Sequence, residues 1–187
     1  MSALFALALA LLASPSFAAI PDGTYRQGCQ AGYQREEVFT GEYATYVEKN
    51  YADTQCRELS LEIRSYGQLT YGDAVTLPPG ASAIDFEFVR VGLVPKQEWV
   101  AALYRERKLC GRAEWALNEE TDITGRACDF YGVGRFAQVP ESGSVRFGVY
   151  LLEKDGLLYF GKLRPERDGG APERRPQELD PFPYMRQ

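Results

Sequence analysis

Beyond residue 18 the chain alternates apolar and polar positions with a period of two, the signature of strands that bury one face. Leu59, Leu61 and Ile63 alternate with Glu58, Ser60, Glu62 and Arg64. Ile84, Phe86 and Phe88 alternate with Asp85 and Glu87 until Val89 and Val91 shift the apolar register, which predicts a bulge or a strand end buried on both faces. Val145, Phe147, Val149 and Leu151 alternate with Ser144, Arg146, Gly148 and Tyr150, and Asp155-Gly156 then turns the chain into 157–163, a hairpin pattern. Segments 34–40 and 42–51 flank Gly41 as a second hairpin, with Tyr43, Thr45, Val47 and Tyr51 on one side. Both hairpins are rich in the aromatic and β-branched residues that suit a half-buried pleated surface.

One segment has a helical period. Over 96–109 the positions Trp99, Val100 and Leu103, with Cys110 just beyond, recur at helical spacing, and Pro95 suits the first turn. Glu98, Arg105, Glu106 and Lys108 mark the opposite, solvated face, so the segment reads as a packing helix tied down by Cys110. Segments 77–80 and 140–143 are loops by their Pro and Gly content. Many short strands whose edges must be hidden predict a mainly β fold, a lipocalin-like antiparallel barrel or a two-sheet sandwich, with one mid-chain helix around 96–109. A single barrel domain is expected over 19–164. The Pro-rich, mixed-charge segment 165–187 is expected to pack along the barrel or to be irregular.

The first 18 residues change the setting. They are uncharged and Leu/Ala-rich, and they end in Ser16-Phe17-Ala18, the pattern of a secretory signal peptide with its small-residue cleavage site. Pro15 interrupts the apolar run before it reaches the roughly 20 residues that a membrane span needs. The expected address is therefore secreted or periplasmic, with no membrane association after cleavage. Cys29, Cys56, Cys110 and Cys128, an even number in an oxidising compartment, predict two disulfides. Three connectivities are open, and Cys29 with Cys56 and Cys110 with Cys128 is favoured because each pair falls within one local block. A zinc site fits poorly, since the chain has no C-x-x-C and no histidine.

Having no histidine also removes the triads, Cys-His dyads and imidazole bases of most hydrolytic sites, and no carboxylate pair stands out among Asp85, Glu87, Glu119, Glu120 and Asp122. No phosphate-binding loop or EF-hand pattern occurs, so no cofactor or metal is expected, and the protein reads as non-catalytic. The net charge of −5 and the lack of a sustained basic run argue against nucleic acid as a partner.

The opening Gly23-Thr24-Tyr25-Arg26 resembles the G-x-W start of the first strand in lipocalins and related calycin barrels, with Tyr25 in the tryptophan position. Cys29, the run 51–56 ending in Cys56, Tyr66-Gly67, Tyr71-Gly72, and the tail elements Asp168-Gly169-Gly170 and Tyr184-Met185-Arg186 are similar to small secreted bacterial lipocalin-like proteins of uncharacterised role. The resemblance covers most of the chain beyond residue 18 and brings no catalytic residue with it. It implies a barrel that can hold one small apolar ligand. On that reading the barrel-lining candidates are Phe39, Tyr43, Tyr46, Phe86, Phe88, Phe147, Tyr159 and Phe160. The alternative is a filled barrel acting as an interaction or enzyme-inhibitor module, its acidic surface engaging a basic extracytoplasmic protein.

Overall fold

The computed structural model describes residues 19–187; the signal peptide read over 1–18 lies outside them. The strands are β1 (Gly23–Arg26), β2 (Tyr33–Thr40), β3 (Tyr43–Tyr51), β4 (Leu59–Ala74) and β5 (Ser82–Pro95), followed by helix α1 (Glu98–Arg107). Short strands β6 (Thr121–Asp122), β7 (Ala127–Cys128) and β8 (Ala137–Gln138) come next, then β9 (Val145–Leu152), β10 (Leu158–Phe160) and β11 (Met185–Arg186). All pairings between these strands are antiparallel, in the order β10-β9-β5-β4-β3-β2-β1-β11, with β6 beside β5 and β7 paired to β8.

The sheet curls into a nearly closed barrel, and the C-terminal tail makes the seam. Leu158 of β10 exchanges both backbone hydrogen bonds with Tyr184, at 3.0 and 2.7 Å, and Tyr25 of β1 pairs with Arg186 of β11 on the tail's other side. Further back, the Asp180 amide donates to the Phe160 carbonyl and the Lys162 amide to the Glu178 carbonyl, each at 2.8 Å. The Pro-rich 165–187 segment thus contributes the last wall of the barrel.

Local chemistry sets the strand geometry. Gly41, at φ +60°, takes the first corner of the two-residue turn between β2 and β3, the place that a II′ turn reserves for glycine. The register shift in the 84–91 stretch is a bulge: Tyr66 faces Arg90 and Gly67 faces Phe88, leaving Val89 unpaired and 53% exposed. Beyond the bulge, Val91, Leu93 and Val94 are all buried, so both expectations for this strand hold. A Cβ on Gly67 would lie 2.4 Å from the Phe86 ring, which explains a glycine where the strands press together.

Between β5 and β9 the chain leaves the sheet and builds a plug. Val100 and Tyr104 of α1 pack with Leu109, Trp115, Ile123 and Val139 against Phe88, Val91 and Leu93. Disulfide Cys110–Cys128 lies in this plug, and Cys29–Cys56 joins the loops after β1 and β3, the favoured connectivity. The helix is present, but its phase corrects the sequence reading: Val100, Ala101 and Tyr104 are buried, whereas Trp99 is 57% exposed. Tyr104 meets Trp115 edge-on with ring centroids 5.3 Å apart, and that contact turns Trp99 outward. A second core cluster, including Tyr25, Phe39, Leu69, Ile84, Leu158 and Tyr184, fills the barrel near the seam.

The seam can be probed by truncating side chains from the same tail. Tyr184→Ala, at a position 2% exposed, should cost about 3–5 kcal/mol of unfolding free energy in urea melts. Phe182→Ala, at a position 49% exposed, should cost no more than about 0.5 kcal/mol. Equal costs would remove the seam from the account.

Candidate functional site

Between the plug and the seam cluster the barrel encloses a cavity of about 370 Å³ that opens to solvent. Its apolar wall is made by Phe39, Leu69, Ile84, Phe86, Phe88 and Phe160. Its polar wall includes Arg35, Glu37, Tyr46, Ser65, Arg146 and Asp180. The volume lies within the range of small-molecule sites, as does the mixture of many rings with a few polar groups.

Strand alternation places the polar groups. Along β2, Arg35, Glu37 and Phe39 face the lumen, while Glu36 lies on the outer face, paired with Arg26 (2.5 Å) and Lys49 (3.0 Å). Across the ladder Glu37 is opposite Tyr46, which is opposite Ser65, so one polar layer crosses β2, β3 and β4. On β9, Arg146 stands opposite Phe86 and Gly148 opposite Ile84, and all four line the cavity.

Each charge in this layer has a different status. Arg35 is satisfied: its Nε donates to Tyr33 Oη at 2.7 Å, its Nη1 to Asp180 Oδ2 at 3.1 Å, and its guanidinium sits 5.0 Å from the Tyr33 ring centroid. The Tyr33 and Tyr46 hydroxyls lie 3.4 Å apart, and Tyr46 Oη donates to Glu48 Oε2 at 3.1 Å. Arg146 lies with its guanidinium 5.0 Å from the Phe88 ring centroid and has no hydrogen bond or ion pair among the described residues. Glu37 is 9% exposed and likewise has no hydrogen bond among them. Burial drives its carboxyl well above the usual glutamate range; Arg35 and Arg146 pull it back and Glu48 adds to the rise. Burial also raises the Tyr46 and Tyr184 hydroxyls.

Of the eight aromatic candidates, Phe39, Tyr46, Phe86, Phe88 and Phe160 line the cavity. Tyr43, Phe147 and Tyr159 are outside its lining, and Tyr43 is 60% exposed at the turn. Phe147 occupies the outer face of β9, where its amide donates to the Gly169 carbonyl at 2.8 Å and the Arg175 guanidinium sits 5.2 Å from its ring centroid. The tail packs Arg175 against the half-buried Phe147, while Arg146, on the opposite face of β9, lines the cavity and stays open to solvent. Alternation from Phe39 would have identified Glu37 and Arg35, but no local signal turns Arg146 inward.

Among the described residues no group of three or more metal-ligating side chains gathers, and no helix is long and apolar enough to cross a membrane. The arrangement is chemically suited to binding: rings for an apolar body, a guanidinium with no ion pair among the described residues, and a carboxyl that burial shifts toward its protonated form. No protein-family model matches the chain, and no curated protein matches it either.

The raised Glu37 carboxyl makes stability fall with pH. Above the ordinary glutamate range the unfolded chain has lost this proton while the folded protein still holds it, so raising the pH favours unfolding. Glu37→Gln should therefore melt with the native protein near pH 4 and progressively above it toward about pH 8. A constant difference between the two melting curves across that range contradicts the assignment.

Proposed function

We propose that this is a non-catalytic binding protein of an extracytoplasmic compartment that carries a small, largely apolar ligand inside its barrel. The observation that supports this most is the ring-lined, solvent-open cavity held between two packed clusters. A barrel selected only for stability gains by filling such a space, because each missing contact costs free energy. The nearly closed antiparallel barrel is compatible with the calycin-type resemblance of the 23–26 segment and the tail. Two disulfides suit an oxidising compartment, in keeping with a signal peptide over 1–18.

The test uses N-phenyl-1-naphthylamine, a neutral dye that brightens in apolar surroundings. The native protein should bind it saturably, one dye per chain. Ser65→Phe, which projects a ring into the lumen from a wall position 8% exposed, should reduce binding at least tenfold while the cooperative melt persists. Saturable binding of equal strength in Ser65→Phe would place the dye elsewhere and refute the carrier.

A second reading, an interaction or inhibitor module, is favoured by the loop over 129–136. Tyr131, Val133 and Phe136 are 81%, 65% and 69% exposed, while Asp129 accepts the Val133 and Gly134 amides at 3.1 and 2.7 Å and fixes the loop's shape. Rigid exposed aromatics of this kind are typical anchors at protein interfaces, and the net charge of −5 would steer a basic partner. On this reading a Tyr131→Ser, Phe136→Ser variant loses a basic extracytoplasmic protein that the native chain retains at low salt. Equal retention removes the loop from consideration.

A further inference from the structure

We propose that the ligand is an anionic single-chain amphiphile whose head group is held by Arg146 and Glu37 and whose apolar body lies against Phe86, Phe88 and Phe160. This rests on the carrier reading and names the chemistry of its cargo.

The cavity's own charges lead to this class. Of its two arginines, Arg35 is already balanced by Asp180 and by the Tyr33 hydroxyl, whereas Arg146 makes no ion pair or hydrogen bond among the described residues. Its guanidinium lies 5.0 Å from the Phe88 ring centroid in the cavity lining, where it is open to solvent and to whatever enters the lumen. Glu37, which lines the same cavity from β2 and has no hydrogen bond among the described residues, keeps its proton to higher pH than an exposed glutamate and so presents an O–H donor. The groups that act on Glu37 are Arg35, Arg146 and Glu48, and Tyr46 faces it across the ladder.

A head group with two acceptor oxygens and a negative charge satisfies both unmet partners at once. Arg146 gives it charge-assisted N–H bonds, and Glu37 donates its proton's hydrogen bond. A cationic head would face both guanidiniums, and a neutral alcohol would leave Arg146 without a counter-charge. Carboxylate and phosphate monoester heads share the required chemistry.

The experiment displaces N-phenyl-1-naphthylamine from the full chain with dodecanoate, dodecyl phosphate, dodecan-1-ol and dodecylamine, each below its micelle concentration. At least one of the two anions should displace the dye at a concentration at least tenfold below that needed for the alcohol, with the amine weakest, and the stronger anion identifies the head group. Arg146→Gln should shrink the gap between that anion and the alcohol to less than about threefold without weakening the alcohol. Glu37→Gln, which keeps a donor in place, should preserve most of the gap, and Glu37→Leu should lose part of it. Alcohol and anions of equal strength on the native protein overturn the anionic head while leaving the carrier standing. An unchanged gap in Arg146→Gln overturns the role of that arginine, and failure of the dye and of all four amphiphiles to bind overturns both readings.

Discussion

Everything else in this barrel depends on the two backbone hydrogen bonds between Leu158 and Tyr184. A sheet of this curvature has two edges, here β10 and β1, and an open edge offers unpaired amides and carbonyls to any other chain. The tail answers both edges at once, bonding to β10 through Tyr184 and to β1 through Arg186. On its way to the seam the tail packs Pro176 so close to Gly161 that a Cβ there would fall 2.5 Å from the proline ring. Phe147 is half-buried against Arg175, and the other face of β9 brings Arg146 and Gly148 to the cavity. The tail that closes the barrel also lines its cavity, through Pro176, Asp180 and Tyr184.

Much of this was legible in the sequence, for reasons that particular residues make clear. Where strands are long and neighbours are local, a period of two and a glycine turn are enough: the Gly41 hairpin and the Val89 bulge both stand where the pattern puts them. The disulfide partners follow from the same locality. What failed depends on contacts distant in sequence. The phase of α1 is set by Trp115, beyond the helix, so Trp99 cannot be assigned to a face from periodicity alone. The outward burial of Phe147 depends on a tail some twenty to thirty residues further on, whose strand is broken by Pro181 and Pro183 and pairs only in short pieces. The polar lumen was half readable, since Arg35 and Glu37 share the face of Phe39, but charged residues on a predicted strand are ordinarily placed toward water.

The two core clusters support the barrel from either side of a layer that does little for stability. Glu37 is 9% exposed and has no hydrogen bond among the described residues. Arg146 lies beside the Phe88 ring with no ion pair among the described residues. Exceptions of this kind to otherwise consistent packing tend to mark sites of function. A bound anion would give both groups a partner, so ligand binding and folding stability should be coupled in this molecule.

Native mass spectrometry of the protein, purified from an extracytoplasmic fraction without detergent and then offered dodecanoate or dodecyl phosphate, tests the carrier most directly. The account predicts a single added mass per chain, present on isolation or acquired on addition and lost on denaturation. A bare mass both before and after addition would contradict it.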